Sequence, residues 1–531
     1  MKKFIDRVSR VLPAITMLLM VLLIVRMCDK QPRKVAVNDH KWDKLLLILD
    51  QIEQHYVDSI DYKDIVESTL PHLMRNLDPH SVYLPPKELE VADESLTGNF
   101  SGIGIQFNVP NDTVVVINVV PGGPSERAGL LSGDRIITVN GENIAGVKMN
   151  QDSIVKRLKG PRGTTVKIGV KRDDLEELVP FTIKRDNIPV KTVDVSYMIN
   201  DTLGYIKLSK FARTSYAEIR EALEKLNERG VRSLIIDLRD NTGGYLDQAL
   251  LLSNEFLAED QLIVYMDGLH RKRQDFYADG KGTMQNVNLY VLINENSASS
   301  SEIFAGAIQD NDRGTIVGRR SFGKGLVQEP IYFTDKSGIR LTVARFYTPT
   351  GRCIQKPYSD DYQYDIIERY QHGEMTIADS IKRNDSLKFI TPAGKVVYGG
   401  GGIIPDIFVP IDTVGVTNFL IAVNRKSLQV KYSIKLADTY RAQLRQVKSF
   451  EQLEELTRSI DMEEGFLAFA KENGIVPKEG EWQKSRDFIV TQLKGLFGRY
   501  TTLDDDAFYP YINRIDNVIL RVIEEEKTKN N

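Results

Sequence analysis

Leu289-Tyr-Val-Leu-Ile-Asn-Glu-Asn-Ser-Ala-Ser-Ser-Ser-Glu-Ile-Phe-Ala-Gly-Ala-Ile308 reads as a buried strand, a tight polar turn and a helix, because its apolar block stops at Asn294 and resumes after Glu302. Ser299 and Glu302 form an S-x-x-E capping box, which starts the helix at Ser299 with free backbone N–H groups and the positive dipole end facing outward. A hydroxyl placed there lies next to an anion site. After the strand Thr315-Ile-Val-Gly318 comes Phe322-Gly-Lys-Gly-Leu-Val-Gln328, whose single Lys between glycines can approach other backbone and is a candidate base. A serine-rich turn before a helix is by itself only a cap. Gly318-Arg-Arg-Ser-Phe-Gly-Lys324-Gly also matches a phosphate loop through its Lys, but Gly325 stands where a Mg²⁺-binding Ser or Thr is required.

Strand and helix patterns alternate on either side of this stretch over 187–350, an α/β layer arrangement. The strand Ser233 to Leu238 runs into Asp237-Leu-Arg-Asp-Asn-Thr-Gly-Gly244, a glycine pair whose simplest role is a turn. From 95 to 186 short β-rich runs are punctuated by Gly and Pro, predicting a small β module. Helix-spaced apolar residues over 41–76 predict a small helical unit, ended by Asp78-Pro-His-Ser81. Beyond Val416 the pattern is helical and charged, with helices expected at Glu451 to Ile460, Phe466 to Glu472, Phe488 to Leu496 and Tyr511 to Glu524.

With 531 residues, 42% apolar and 27% charged, the chain is globular and needs several domains. A net charge of −3 gives no particular affinity for nucleic acid. Its two cysteines, Cys28 and Cys353, predict no intramolecular disulfide and offer no Cys-based metal site. Lys2, Lys3, Arg7 and Arg10 precede the apolar run Val11 to Val25, a targeting pattern without an A-x-A cleavage site. This favours an uncleaved signal anchor in 1–30 over a cleaved signal peptide, with the chain after residue 30 on the extracytoplasmic, periplasmic side of the cell envelope.

Asn296-Ser-Ala-Ser-Ser-Ser-Glu302, Phe-Gly-Lys-Gly at 322–325 and Gln328 resemble the signature of the C-terminal processing peptidases, or tail-specific proteases, which use a Ser–Lys dyad. The resemblance implies Ser299 as nucleophile, Lys324 as general base and Gln328 as the residue orienting it. It also implies oxyanion N–H groups from Ser300, where the family usually has Ala, and from Gly243 and Gly244 jointly. Ser101-Gly-Ile-Gly-Ile-Gln-Phe107 and Ala128-Gly-Leu-Leu-Ser-Gly-Asp-Arg-Ile-Ile-Thr-Val-Asn-Gly141 resemble a PDZ domain, in which Gly102, Ile103, Gly104 and Ile105 would capture a terminal carboxylate. The Asp-Pro-His-Ser stretch is a structural marker in that family, and His80 is given no chemistry. Arg345 to Gln355 and Gly402-Ile-Ile-Pro-Asp406 extend the likeness over roughly 40–410, interrupted by an apparent polar insertion near 358–390.

The expected architecture is multidomain α/β: a signal anchor (1–30), an N-terminal helical part (31–94), an inserted PDZ domain (95–186), a ClpP/crotonase-like serine protease core (187–412) and a C-terminal helical domain (413–531). The last carries no motif, and a regulatory, dimerising, tethering or plainly structural role is open, as is homo-oligomer formation. No cofactor and no metal are expected. His270, the candidate for a Ser-His-Asp triad, lies in the cationic surface stretch Asp267-Gly-Leu-His-Arg-Lys-Arg273, and H-E-x-x-H is absent. Protein substrates recognised through their C-terminal tails are the implied partners. The alternative is a catalytically inactive, membrane-anchored PDZ scaffold that binds tails without cutting them.

Overall fold

A computed structural model of the chain describes residues 43–172, 175–359 and 362–529. The expected signal anchor, with Cys28, lies outside the described residues. Among those described, no helix is long and apolar enough to cross a membrane. The chain forms two compact units, Met1–Leu73 and Met74–Asn531. The first holds the amphipathic helix Asp43–His55 and most of the helix Tyr62–Arg75.

The second unit is built on a six-stranded sheet whose spatial order follows the chain: β1 Val193–Met198, β2 Leu203–Leu208, β3 Ser233–Asp237, β4 Asn288–Ile293, β5 Thr315–Gly318 and β6 Ile407–Phe408. Only the β1–β2 pair is antiparallel. β2 and β3 are buried throughout, as is β4 after its first residue, which accounts for their continuous apolar runs. Alternate side chains serve two cores. Ile206, Leu234, Ile236, Val291 and Ile316 pack against helices α1 Ser215–Glu228, α2 Leu246–Asn254 and α3 Ser300–Asp310. Tyr205, Ile235, Tyr290, Leu292 and Val317 face the other way, onto Val518, Ile519 and Val522 of α4 Asn517–Lys529.

That second layer changes the reading of the C-terminus. The expected single helix Tyr511 to Glu524 is two helices, Asp505–Ile512 and α4. Asp516 restarts the helix by accepting the N–H groups of Val518 and Ile519, both at 3.0 Å. α4 is a layer over the six-stranded sheet, so the stretch 413–531 is not one separate helical domain. Its earlier helices, from Asn418 to Gly498, form their own core and draw in Val115 and Ile117 from the β module.

The β module is an antiparallel sheet with a core of Ile103, Val116, Ile136, Ile154, Ile168 and Ile183 among others. It is joined to the core through the ribbon in which Asn99–Gly102 pairs with Asp186–Pro189. A further antiparallel sheet carries Leu326–Tyr332 paired with Gly338–Tyr347, and Val82–Leu84 pairs with the start of that same strand. This pairing delivers Asp78–Ser81 to the Lys324 region.

Candidate active site

Because β3 and β4 are parallel, the Asp237–Gly244 loop and the Ser299 turn leave the sheet at the same end. Ser299 itself is held at φ 56, ψ −114, outside the regions a serine ordinarily adopts. A strained residue between a strand and a helix, with its side chain half-buried, presents a hydroxyl at the head of the sheet in the manner of a nucleophile elbow. Ser301, Glu302 and Ile303 close their N–H groups onto the carbonyls of Ala298 and Ser299. The N–H of Ser300 is left without an acceptor inside the turn.

Glu302 does more than cap this helix. Its carboxylate is fully buried and accepts four hydrogen bonds: from the Ser299 N–H (2.9 Å), the Ser321 hydroxyl (2.5 Å), the Gly323 N–H (2.7 Å) and the Lys324 N–H (2.9 Å). Burial pushes its carboxyl above the ordinary range, against the pull of the four donors. The turn bearing Ser299 and the loop bearing Lys324 are thus fastened to one side chain.

Lys324 Nζ donates to Gln328 Oε1 at 2.8 Å, and Gln328 Nε2 donates to the His80 carbonyl at 2.6 Å. A carbonyl can only accept, so the amide orientation of Gln328 is fixed and its oxygen must face the lysine. One Nζ proton is thereby committed. Burial, reinforced by the positive charge of Arg340, lowers the Lys324 pKa, while Glu302 and Asp78 act in the opposite sense. His80 is pushed down to about 4 by burial and then by Lys324, and is neutral at pH 7.

The glycine pair lies directly against the serine. A Cβ on Gly243, whose φ is +95, would stand 2.8 Å from Ser299 Cβ and 2.9 Å from the Ser300 nitrogen. Buried Asn241 organises this contact, accepting the Gly243 N–H (2.9 Å) and donating to the Leu208 carbonyl (2.9 Å), while its own carbonyl takes Ala298 N–H (3.0 Å) and Ser301 Oγ–H (2.8 Å). Gly243 N–H is committed to Asn241, while no acceptor is seen for the N–H groups of Gly244 and Ser300 among the described residues. The Ser300 hydroxyl donates to the Gly244 carbonyl at 3.0 Å and ties the two together.

Just outside lies a buried charge network. Arg239 grips Asp237 (2.7 Å from NH2) and Asp516 (2.8 Å from NH1), and Lys207 Nζ reaches Asp237 at 3.3 Å. Burial alone would raise the Asp237 carboxyl, but Arg239 and Lys207 hold it well below the usual range. His270 is exposed at the turn between Leu262–Gly268 and Arg271–Tyr277. In the β module, Gly104 has φ +76, and the carbonyls of Ile103 and Gly104 accept Ser125 N–H (3.0 Å) and Val120 N–H (3.1 Å), which pins the loop 102–105.

Glu302, Asn241, His80 and Asp516 were not among the site residues expected from sequence. Glu302 was visible only as a cap. A signal for the charge network was present, since Asp237 and Arg239 close an otherwise apolar strand, a placement that demands partners.

A serine on a strained turn and a half-buried lysine on the neighbouring loop are fastened by their backbone N–H groups to one carboxylate. Residues 202–365 match the profile of peptidase family S41, residues 101–184 match the PDZ domain, and residues 419–502 match a family of unknown function. The chain is 31% identical over 325 residues to the carboxy-terminal processing protease CtpA of Bacillus subtilis, covering 61% of this chain and 69% of that protein. It is 32% identical over 340 residues to the carboxy-terminal-processing protease of Bartonella bacilliformis, covering 63% and 77%. A solved PDZ domain of the carboxy-terminal protease of Vibrio cholerae, in complex with peptide, is 32% identical and covers 17% of this chain and 99% of its own, with a TM-score of 0.16. The chain belongs to the carboxy-terminal processing proteases of peptidase family S41.

Proposed function

We propose that this protein is an exported endopeptidase, held to the membrane by its N-terminal segment, that selects protein substrates by their free C-terminal tails and cuts them with a Ser299–Lys324 dyad. The observation carrying this reading is the fixed acceptor face of Gln328 toward Lys324 Nζ, on a loop bound to the Ser299 turn through Glu302. Neutral Lys324 takes the proton of Ser299 Oγ as the oxygen attacks the scissile carbonyl carbon. Charge on the former carbonyl oxygen is met by the N–H groups of Ser300 and Gly244. As the tetrahedral species collapses, the C–N bond breaks, Lys324 returns the proton to the departing amine and an acyl-Ser299 ester remains. Water then attacks the ester carbonyl carbon with Lys324 taking a proton, the C–Oγ bond breaks as Lys324 returns that proton to Ser299 Oγ, and the carboxylic acid product leaves. Gln328 keeps the base directed throughout.

For the PDZ domain, Gly102, Ile103, Gly104 and Ile105 are proposed to bind the substrate's terminal carboxylate. Extracytoplasmic placement rests on the cationic start and apolar run of 1–30. The test is cleavage of a peptide library varied at the C-terminus, as free acids and as amides, mapped by mass spectrometry. Amidation removes the charge and should sharply reduce cleavage. Equal cutting of both forms would remove tail selection from the account, and a soluble product starting near residue 27 in cell fractions would remove the anchor.

A further inference from the structure

The polar segment near 358–390 is built into the Lys324 loop. Buried Arg369 donates to the carbonyls of Ser321 (3.1 Å) and Arg320 (2.6 Å), and Glu374 receives both Arg320 and Arg369. Earlier in the segment, the Tyr362 hydroxyl lies 2.6 Å from His80 Nε2 and 3.2 Å from Gln355 Nε2, and Lys356 Nζ sits 4.2 Å over its ring.

One backbone group fixes the amide orientation of Gln355 in this chain of contacts. Gly325 N–H donates to Gln355 Oε1 at 2.9 Å, so Gln355 turns its NH2 toward Tyr362. Tyr362 oxygen therefore accepts from Gln355 and shares one proton with His80 Nε2, the tautomer of His80 setting which of the two donates. From Tyr362 two arms run back to the lysine. One passes through His80, whose carbonyl holds Gln328, which holds Lys324 Nζ. The other passes through Gln355 to Gly325, the residue after Lys324.

We propose that Tyr362 is a positioning residue for the general base, fixing through His80 and Gln355 both sides of the turn from which Lys324 projects. This rests on the Ser–Lys reading. A lysine stem has several rotatable bonds, and a base acts only from hydrogen-bond reach of its proton, so the order of the turn sets how often the amine is productively placed. Nothing in the segment needs to touch substrate for this to matter.

The test compares Tyr362→Phe with wild type and with Tyr364→Phe, an exposed tyrosine of the same turn. The substrate is the best free-acid peptide from the library. Loss of the hydroxyl should lower kcat about tenfold, part of the roughly 10²- to 10⁴-fold that a positioned base supplies, with KM within about twofold. The rising limb of the pH profile should move to higher pH, because a less ordered lysine is better solvated. Tyr364→Phe should match wild type. Gln355→Leu should also lower kcat, and the double variant should lose less than the two single losses combined. An unchanged kcat and pH profile in Tyr362→Phe, or a change confined to KM, would overturn the proposal. If Tyr362→Phe does not fold, Gln355→Leu decides on the same readings. Retained cleavage by Lys324→Ala would instead overturn the Ser–Lys reading itself, whatever Tyr362→Phe does.

Discussion

The backbone N–H of Ser299 and the backbone N–H of Lys324 end on a single atom, Oε2 of Glu302, each at 2.9 Å. Two segments that leave different strands of the sheet are thereby registered to each other through a carboxylate that touches neither reacting side chain.

Glu302→Gln should break that registration. A glutamine offers one acceptor oxygen where four donors converge, and its NH2 must face N–H or O–H groups. Leaving buried donors unpaired should cost about 2–4 kcal/mol of stability, read by urea denaturation, together with at least a tenfold loss of peptide cleavage. A variant with wild-type stability and rate would show that the four contacts are incidental.

The pH dependence follows from Lys324. Its native pKa is lowered, first by burial and then by Arg340. The amine must be neutral to act, so kcat should rise with pH through that lowered value. Between it and the ordinary value of 10.5 the unfolded chain binds more protons at this site, so its contribution to stability grows as pH rises across that window. Arg340→Met removes a like charge and should carry the rising limb to higher pH. A profile that does not move would mean that the titrating group is not Lys324.

Ile519→Ala tests the assignment of α4 to the core. Ile519 is fully buried against the sheet. Its truncation should cost about 2–5 kcal/mol and lower the melting temperature of the whole unit in one transition. An unchanged melt would show that α4 is not a layer of the core.

The strand–turn–helix at 289–308 and the strands of the β module were legible because continuous or alternating apolar runs end at Gly, Asn and Pro, signals that act locally. Ser299, Lys324 and Gln328 could be named from their motif. What sequence did not give was contact between distant segments. Glu302 has the spacing of a cap, and its bonds to 321–324 exist only once β4 and β5 are side by side. The run Tyr511 to Glu524 looked like one helix because its apolar spacing continues through Ile512, Ile515 and Ile519, yet Asp516 caps a new helix there and pairs with Arg239, 277 residues away. The segment near 358–390 reads as an insertion because it is polar. Its buried members find partners elsewhere in the fold: Arg369 and Glu374 pair with each other and with Arg320, and Tyr362 meets His80 and Gln355.

The most direct test of the dyad is the rate at which Lys324→Ala cleaves the best free-acid peptide, set beside Ser299→Ala and His270→Ala under conditions where all are folded. The account predicts that Lys324→Ala is as inactive as Ser299→Ala and that His270→Ala cuts at the wild-type rate. Cleavage retained in Lys324→Ala and lost in His270→Ala would contradict it.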